Sequence, residues 1–314
     1  MVVCPMLCRG FIPVTQRATS SLSRHQRHAD RTSMRLADRV YLVTGSTDGI
    51  GKHTASRLAE EGATVIVHGR AESKVAEAVE FVKGHQKGNG RVEGIVADLS
   101  SLRGMNHLCD EVLTRTDRLD CLLNNAGEKE SVRSVFEADF RHSEDGLEYT
   151  FAVNVLAPYV ITGRLLDLVA KTPGGGGRVV NVASLSAAYS LDFDNLQFEK
   201  GGYSDHASYS LSKLLDIMFN AELARRAPEG VTCNSLDPGT VNTKMLRAGW
   251  GMGGIPIKSA NDQFFLATSD DVSVSSGEYY VSRRIYTPPP PAEDEEACQR
   301  LWKVLEDLSG FCYA

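Results

Sequence analysis

The feature that most constrains the fold is a regular alternation of short apolar segments with longer segments of helical periodicity. Short apolar runs bounded by turn residues are typical of buried strands, and apolar residues three and four apart are typical of amphipathic helices. The first pattern predicts strands at Val40–Thr44, Thr64–His68, Val92–Ala97, Leu119–Leu123, Arg178–Val182, Val231–Ser235 and Tyr279–Val281. The second predicts helices at Ile50–Glu61, Glu72–Lys83, Leu102–Arg115, Gly146–Ala170 and His206–Arg226.

This alternation implies βαβ units, and therefore an α/β fold with a doubly wound parallel sheet and helices on both faces. We expect one such domain over residues 36–314. Pro288–Pro291 is interpreted as a stiff extended spacer, and the apolar spacing after it predicts a C-terminal helix near 292–309. In such a fold, ligands bind outside the carboxyl ends of the strands.

The first 33 residues differ in composition from the rest of the chain. They contain five arginines and many serines and threonines, with Asp30 as the one acidic residue. An Arg- and Ser-rich leader that is poor in acids is typical of an organelle transit peptide, although a disordered tail without an address has the same composition. We therefore interpret residues 1–35 as a disordered leader for a mitochondrion or plastid; without such an address we expect the cytoplasm.

Charge and hydropathy argue against several classes of function. Lys and Arg number 34 against 40 Asp and Glu, whereas nucleic-acid-binding proteins usually carry a basic domain. No apolar run reaches the roughly 18 residues of a transmembrane helix, so we expect no integral membrane span. No Cys-x-x-Cys pair and no His-Glu-x-x-His motif is present, so we expect no metal site. A small molecule is the expected partner.

A glycine-rich loop joins the first predicted strand to the first predicted helix. Glycines let the backbone turn sharply and approach a pyrophosphate, whose charge the amides and positive dipole end of the helix then bind. A merely tight turn is the alternative, but the strand–turn–helix position favours dinucleotide binding. The expected cofactor contacts in this loop are Gly45, Ser46, Thr47, Asp48, Gly49, Ile50 and Gly51.

Four motifs occur in the order seen in short-chain dehydrogenases/reductases. They are the glycine loop, Asn124-Asn125-Ala126-Gly127, Ser184, and Tyr209-Ser210-Leu211-Ser212-Lys213. The resemblance covers about residues 36–310, and Asp145–Glu148, Val153–Asn154 and Asp237–Gly239 make the chain most similar to the retinol-dehydrogenase-like branch. This resemblance implies a Rossmann-type fold and hydride transfer between a nicotinamide cofactor and a carbonyl or alcohol.

The end of the second predicted strand indicates which nicotinamide cofactor binds. A carboxylate there would accept hydrogen bonds from the adenosine ribose and favour NAD. This chain has Gly69, which leaves room, and Arg70, whose guanidinium can bind a 2′-phosphate through paired hydrogen bonds. We therefore expect NADP(H), with Ser46 and Lys74 adding to the pocket, and NAD(H) as the less favoured cofactor. A solvated surface charge is the alternative for Arg70.

The resemblance implies further cofactor contacts after the third, fourth and sixth predicted strands. Residues after the third strand would flank the adenine, and Asn125 would lie near the adenosine ribose. The loop after the sixth strand would cradle the nicotinamide, with Thr240 or Thr243 reaching its carboxamide. These expected contacts are Asp98, Leu99, Asn125, Ala126, Gly127, Pro238, Gly239, Thr240 and Thr243.

Tyr209 and Lys213 are four residues apart and therefore share one face of a predicted helix. A phenol ordinarily keeps its proton well above neutral pH, and a nearby ammonium favours the deprotonated form. Tyr209 can then give a proton to a carbonyl or take one from an alcohol. Alone, the pair is typical of any helix surface. The glycine loop and the upstream Ser184 favour catalysis.

Ser184 completes the predicted catalytic group from the ligand-facing end of the fifth predicted strand. Its hydroxyl is placed to hydrogen-bond the substrate oxygen and to stabilise developing charge. The resemblance implies that Lys213 also holds the nicotinamide ribose, next to Tyr209. It further implies that Asn154 anchors a water in a proton relay with Lys213.

Two further segments bear on the substrate. Residues 244–262 combine glycines with Met245, Leu246 and Trp250, a composition typical of a mobile lid over an apolar substrate; an ordinary surface loop with its own small core is the alternative. Residues 128–143 are charged, and we expect them to line or cover the entrance of the pocket.

The sequence therefore predicts an NADP(H)-dependent oxidoreductase acting on an apolar aldehyde or ketone, or on the corresponding alcohol. One alternative is a catalytically silent dinucleotide-binding module that senses redox state, which would keep the glycine loop but lose Tyr209 or Lys213. An epimerase or dehydratase on the same scaffold is the other, and its glycine loop has a different spacing. By analogy with relatives that dimerise through the helix bearing Tyr209, we expect a homo-oligomer.

Overall fold

The computed structural model describes residues 36–127, 140–251 and 253–313, and the predicted leader lies outside them. Its strands are β1 (Val40–Val43), β2 (Thr64–Gly69), β3 (Val92–Val96), β4 (Cys121–Asn124), β5 (Arg178–Val182), β6 (Thr232–Asp237), β7 (Tyr279–Val281) and β8 (Arg284–Ile285). They form one sheet in the order β3-β2-β1-β4-β5-β6-β7-β8. Strands β1 to β7 pair in parallel, and β8 pairs with β7 in antiparallel orientation.

The helices cover both faces of this sheet. They are α1 (Gly49–Glu60), α2 (Glu72–Lys83), α3 (Leu102–Arg115), α4 (Tyr149–Ala170), α5 (Asp205–Arg226), α6 (Lys244–Trp250), α7 (Asp262–Thr268), α8 (Pro290–Glu293) and α9 (Glu295–Ser309). The chain reverses its direction along the sheet between β1 and β4. This is the topological switch point, beside which ligands of doubly wound folds bind. The predicted fold class, a single Rossmann-type α/β domain, is confirmed.

Alternate residues of each strand supply two apolar cores, one on each face of the sheet. Leu42 points into the larger core, which α3, α4, α5 and α9 close. Its neighbours Tyr41 and Val43 point into the smaller core, which α1, α2 and α7 close. Because the central strands are covered on both faces, β1 is apolar along its whole length rather than alternating, and β4 is apolar up to its last residue, Asn124.

Helix α4 contains an irregular turn close to the switch point. Residues Ala152–Leu156 form a π-helical turn between the α-helical segments Tyr149–Phe151 and Ala157–Ala170. Within the described residues, α4 as a whole is the one helix whose length and composition suit a membrane span. This finding qualifies the expectation that the chain has no such segment. Most of α4 (83% of its apolar window) is buried in the domain, as in the core helix of a globular protein.

The C-terminal segment closes the larger core with aromatic side chains. Trp302 of α9 lies 5.2 Å from Tyr159 and 5.9 Å from Phe219, measured between ring centroids. The Tyr313 hydroxyl donates a hydrogen bond to the Tyr159 carbonyl at 2.7 Å. Gly163 lies directly under the rings of Phe311 and Tyr313, so that a Cβ there would collide with Phe311. The terminal residues are therefore part of the domain.

Three details differ from the sequence prediction. The interpretation of Pro288–Pro291 as an extended spacer is wrong for its second half, because Pro290 and Pro291 begin the helical turn α8, where proline is tolerated. The strand β8 was not predicted, since its two residues are exposed and have no apolar periodicity. The segment predicted as a lid contains α6 and ends at the start of α7.

Candidate active site

A cavity of about 340 Å³ opens at the carboxyl ends of the parallel strands, beside the switch point. It is lined by residues from the glycine loop, the ends of β2, β3 and β4, helix α5 and the start of α6. The predicted site residues that line it are Gly45, Thr47, Asp48, Gly49, Ile50, Gly51, Arg70, Asp98, Leu99, Asn125, Ala126, Gly127, Tyr209, Lys213, Pro238 and Thr243. The folded chain therefore brings the glycine loop and the Tyr-x-x-x-Lys pair to one space.

The backbone of the glycine loop requires glycine at two positions. Gly45 and Gly49 have φ values of 63° and 56°, a region that other residues rarely adopt. A Cβ at Gly45 would lie 2.7 Å from the Ala126 Cα, so the loop and the end of β4 can approach each other only without a side chain there. Asp48 caps α1 by accepting a hydrogen bond from the Gly49 amide at 2.8 Å.

Ser46 is the one predicted residue of the glycine loop that does not line the cavity. Its side chain is fully buried and does not line the cavity. Its hydroxyl donates to the Val43 carbonyl at 2.7 Å and accepts from the His68 amide at 3.0 Å. Ser46 therefore ties the glycine loop to β2 from beneath. Lys74 was predicted to join the same pocket, but it is exposed, pairs with Glu77 on the surface of α2 and does not line the cavity.

His68 is a cavity residue that the sequence analysis did not single out. Its Nδ1 accepts a hydrogen bond from the Gly45 amide at 3.1 Å, and its Nε2 donates to the Ala97 carbonyl at 3.1 Å. These two partners require the neutral ring, and burial lowers the pKa of His68 to about 4. One imidazole thus connects the glycine loop to the end of β3. Nothing local in the sequence distinguishes it from any histidine in a strand.

Asn125 braces the glycine loop from the end of β4. Its Nδ2 donates to the Thr44 carbonyl at 2.7 Å and to the Gly45 carbonyl at 3.2 Å. Its Oδ1 accepts from the Gln263 side chain of α7 at 2.9 Å. The resemblance implied a contact with the adenosine ribose, but these bonds use the side-chain amide to hold the loop.

The end of β2 has the geometry on which the choice of cofactor depends. A Cβ added at Gly69 would collide with the Thr47 methyl group, so an acidic side chain has no room there unless Thr47 rotates. Arg70 lines the cavity, and its Nη1 donates to the Tyr149 hydroxyl at 2.7 Å. Tyr149 lines the cavity as well and was not predicted to be a site residue.

Tyr209 and Lys213 are held on α5, whose first turn is capped by Ser204 accepting from the Ala207 amide. Both side chains are buried, at 7% and 4% exposed, and both reach the cavity. The Lys213 ammonium donates to the Val182 carbonyl and to the Asp216 carboxylate, each at 2.8 Å. Burial opposes the charge of Lys213, but Asp216 and Tyr209 together raise its pKa. Burial raises the pKa of Asp216 to about 6.

Ser184 and Asn154 flank this pair without lining the cavity. The Ser184 hydroxyl follows β5, is half-buried and accepts from the Ser186 amide at 3.1 Å. Asn154 lies in the π-helical turn of α4, and its amide donates to the Ser212 hydroxyl at 2.9 Å. Single π-helical turns inside α-helices frequently occur at functional sites. A Cβ placed at Gly127 would lie 3.8 Å from the Asn154 Oδ1 and 3.9 Å from the Lys213 Nζ, so Gly127 lies beside both side chains.

Asp237, at the end of β6, joins two loops of the site. Its carboxylate accepts from the Leu185 amide and from the Gly239 amide, each at 2.7 Å. Pro238 and Thr243 of the following loop line the cavity, whereas Gly239 and Thr240 are exposed and do not. Asp237 was expected only as part of a family motif, because its two amide partners come close to it only in the folded chain.

The rim of the cavity includes part of the segment predicted as a lid. Lys244 and Met245, at the start of α6, line the cavity, and the Lys244 ammonium lies 2.5 Å from the Asp48 carboxylate. The predicted lid residue Met252 and most of the charged segment expected at the entrance, residues 128–139, lie outside the described residues. Among the residues the structure does describe, no group of three His, Cys, Asp or Glu side chains is arranged to hold a metal ion.

Comparison with known proteins assigns the family. Residues 39–250 match the short chain dehydrogenase family, so the chain belongs to the short-chain dehydrogenases/reductases, in the retinol-dehydrogenase-like branch. It is 33% identical to human retinol dehydrogenase 13 over 88% of this chain and 86% of that protein. It is 32% identical to human polyprenol dehydrogenase (87% and 86%) and 29% identical to the chloroplastic short-chain dehydrogenase TIC 32 A of Brassica napus (85% and 88%).

Solved structures show the same fold. A protein of uncharacterised function from Mycobacterium paratuberculosis superposes with a TM-score of 0.70 at 25% identity, over 90% of this chain and 98% of that one. A Shigella flexneri short chain dehydrogenase solved in complex with NADP gives a TM-score of 0.63 at 23% identity, over 79% and 98%. The family therefore establishes an oxidoreductase that uses a nicotinamide dinucleotide and acts on a small molecule.

Proposed function

We propose that this protein transfers a hydride between NADP(H) and an apolar carbonyl compound or the corresponding alcohol. One observation carries the proposal. The Tyr209 and Lys213 side chains line the same cavity as the glycine loop, with the Lys213 ammonium held by two acceptors. A proton donor therefore lies next to the place where a dinucleotide fits, as reduction of a carbonyl requires.

The glycine loop and the helix that follows it support dinucleotide binding. Gly45 and Gly49 leave the loop without side chains at two positions that line the cavity, and the start of α1, where backbone amides and the helix dipole suit a pyrophosphate, lines the cavity as well. All four of Asp98, Leu99, Lys213 and Thr243 line the cavity, and we propose that the first two contact the adenosine half and the last two the nicotinamide half. Gly127 lines the cavity beside Lys213, and we propose that it lies next to the nicotinamide ribose.

Two observations support NADP(H) over NAD(H). Gly69 offers no carboxylate to the adenosine ribose, and a Cβ at this position would collide with the Thr47 methyl group. Arg70 follows it at the cavity wall, where a guanidinium suits a 2′-phosphate. The Shigella flexneri dehydrogenase of the same fold was solved with NADP, which agrees with this preference.

The residues of this chain would act on the proton and on the substrate oxygen. The bound cofactor supplies the hydride, and Tyr209 gives the proton to the carbonyl oxygen or removes it from the alcohol. Lys213 holds a positive charge beside Tyr209, which favours the deprotonated phenol. Ser184 is proposed to donate a hydrogen bond to the substrate oxygen. Asn154, held by Ser212, is proposed to anchor the water that restores the proton.

An apolar substrate is supported by the loops that leave β5 and β6 on the cavity side. Leu185 and Tyr189 follow Ser184 and are 51% and 72% exposed, and Ile255, paired with Val241 beyond β6, is 47% exposed. These loops leave the edge of the sheet at which the cavity opens, and exposed apolar side chains near such a cavity favour an apolar ligand. Retinol dehydrogenase 13 and polyprenol dehydrogenase are named for isoprenoid alcohols, and we propose a substrate of that class here.

Absorbance of NADPH during incubation of the full chain with all-trans-retinal or a long-chain aldehyde tests the function. We expect oxidation of NADPH that depends on the aldehyde. We also expect Tyr209→Phe to lower turnover by about 10²- to 10⁴-fold while NADPH still binds. Binding of NADPH without turnover on any aldehyde or ketone would instead favour the redox-sensing module, which the retained Tyr209 and Lys213 argue against.

Location and assembly are part of the same proposal. The arginine- and serine-rich leader supports an organelle address, and a related dehydrogenase of Brassica napus is chloroplastic. We propose import into a mitochondrion or plastid, which a fluorescent fusion with and without residues 1–35 would test. We also propose that the protein forms a homo-oligomer, and light scattering would test this by measuring its mass in solution.

A further inference from the structure

Arg70 reaches across the cavity rim to a residue from a distant part of the chain. Its Nη1 donates a hydrogen bond to the Tyr149 hydroxyl at 2.7 Å, although the two residues are 79 positions apart. Arg70 follows β2 and Tyr149 begins α4, and both line the cavity. The contact joins the two sides of the cavity at the end where Gly69 and Asp98 lie.

The Tyr149 ring is itself held in place by its surroundings. The Arg141 guanidinium stacks on the ring, 4.2 Å from its centroid, and the Tyr149 amide donates to the Arg141 carbonyl at 3.0 Å. The preceding residue, Glu148, is buried and caps α4 by accepting from the Thr150 and Phe151 amides. The phenol is therefore fixed before any ligand arrives.

A fixed phenol changes what Arg70 can do. Arg70 is an exposed side chain on a flexible stem, and ordering such a side chain upon binding weakens affinity. Its hydrogen bond to Tyr149 restrains the guanidinium in advance. Because the Tyr149 oxygen accepts from Arg70, its own proton is directed away from Arg70 and can be donated to an anionic oxygen.

We propose that Tyr149 is a specificity-determining residue that positions Arg70, and itself donates a hydrogen bond, at the site of the 2′-phosphate of NADP(H). This inference rests on the proposed use of NADP(H). It places Tyr149, a residue outside the family motifs, beside Arg70 as a second contact for this phosphate. NADH has no 2′-phosphate, so the contribution of Tyr149 is specific to NADPH.

The test is a fluorescence titration of the full-length Tyr149→Phe variant with NADPH and with NADH. Loss of one hydrogen bond to a charged group predicts a rise of about ten- to a hundredfold in the Kd for NADPH. The Kd for NADH is expected to change by less than about twofold, since the ring and its stacking are kept. Tyr280→Phe is the matched control, because it removes a hydroxyl that bonds to Ser275 outside the cavity.

A double-mutant cycle with Arg70→Ala separates this inference from the proposed function. If Tyr149 acts through Arg70, the effect of Tyr149→Phe on NADPH binding shrinks in the Arg70→Ala background. Equal weakening of both cofactors by Tyr149→Phe, or no change in either, would overturn the role of Tyr149. If Tyr149→Phe gives either of these results but Arg70→Ala lowers the preference for NADPH, only the role of Tyr149 is refuted and the proposed cofactor is still supported. If Arg70→Ala also leaves the preference unchanged, the proposed cofactor fails as well.

Discussion

The Lys213 ammonium lies 2.8 Å from the Asp216 carboxylate, and both groups are buried one turn apart on α5. The carbonyl of Val182 accepts from the same ammonium on another side. A buried charge is costly without partners, so these two acceptors keep Lys213 charged and fixed at the cavity wall. The Tyr-x-x-x-Lys motif includes Lys213, whereas Asp216, the carboxylate that holds it, lies outside the motif.

Replacing Asp216 with leucine is expected to leave the Lys213 ammonium without its charged partner. Breaking a buried pair in this way costs about 3–5 kcal/mol, and we expect a loss of unfolding free energy of that order together with lower turnover. Asp216→Asn, which keeps an oxygen acceptor at the same place, is expected to be less damaging. Urea denaturation measures both variants, and equal stability of the leucine variant and the wild type would refute the pairing.

The stability of the fold is expected to fall as the pH falls below about 6.5, because of His68. A histidine in the unfolded chain has a pKa near 6.5, whereas burial lowers the pKa of His68 to about 4 in the fold. Between these values only the unfolded chain binds the proton, so acid favours unfolding. The slope is about 1.4 kcal/mol per pH unit and flattens near pH 4.

The His68→Asn variant isolates this contribution from that of other titrating groups. Its amide oxygen offers an acceptor to the Gly45 amide but does not titrate. We expect the difference in unfolding free energy between wild type and variant to shrink as the pH is lowered from 7 to 4.5. A difference that stays constant over this range would show that His68 is not buried in its neutral form.

Introducing an acidic residue at Gly69 is expected to disfavour NADPH. A Cβ there meets the Thr47 methyl group, and a carboxylate would repel a 2′-phosphate near Arg70. We expect Gly69→Asp to raise the Kd for NADPH at least about tenfold more than the Kd for NADH. Gly69→Ala carries the steric change alone and should affect both cofactors alike. If Gly69→Asp and Gly69→Ala changed the ratio of the Kd for NADPH to the Kd for NADH equally, the result would count against a 2′-phosphate site.

Replacing Gly163 with alanine tests how closely the C-terminal segment packs on α4. The missing side chain of Gly163 makes room for Phe311 and Tyr313, so Gly163→Ala must displace the rings. Overpacking of this kind costs about 1–3 kcal/mol, seen as a lower Tm. Gly176→Ala is the matched control, since a Cβ there has no atom within 4 Å. Equal Tm values for the two variants would contradict the close packing of Phe311 and Tyr313 on α4.

The periodicity of the sequence predicted most of the sheet and the main helices, because burial on both faces gives strands such as β1 and β2 short, nearly continuous apolar runs. Four elements, namely α2, α3, β5 and β7, have the predicted bounds. The short helices α6 and α7 were not predicted, since seven residues give too little periodicity to recognise. Nor was β8, which pairs along two residues at the edge of the sheet.

The candidate site was less predictable, because side-chain partners depend on contacts between distant segments. Ser46 was predicted to touch the cofactor, but it lies beneath the loop, where its hydroxyl joins β1 to β2. Tyr149 and His68 take part in the site only in the folded chain, where the start of α4 and the end of β3 lie beside the end of β2. Asp216 is three residues from Lys213, yet the spacing alone does not distinguish a buried pair from a solvated one.

A fluorescence titration of the full chain with NADPH and with NADH tests the central claim most directly. The account predicts that both cofactors bind in the cavity beside Tyr209, and that the Kd for NADPH is at least about tenfold lower, through Arg70. Equal affinity for the two cofactors would contradict the assignment of Arg70 to a 2′-phosphate. No binding of either would contradict the proposed hydride transfer itself.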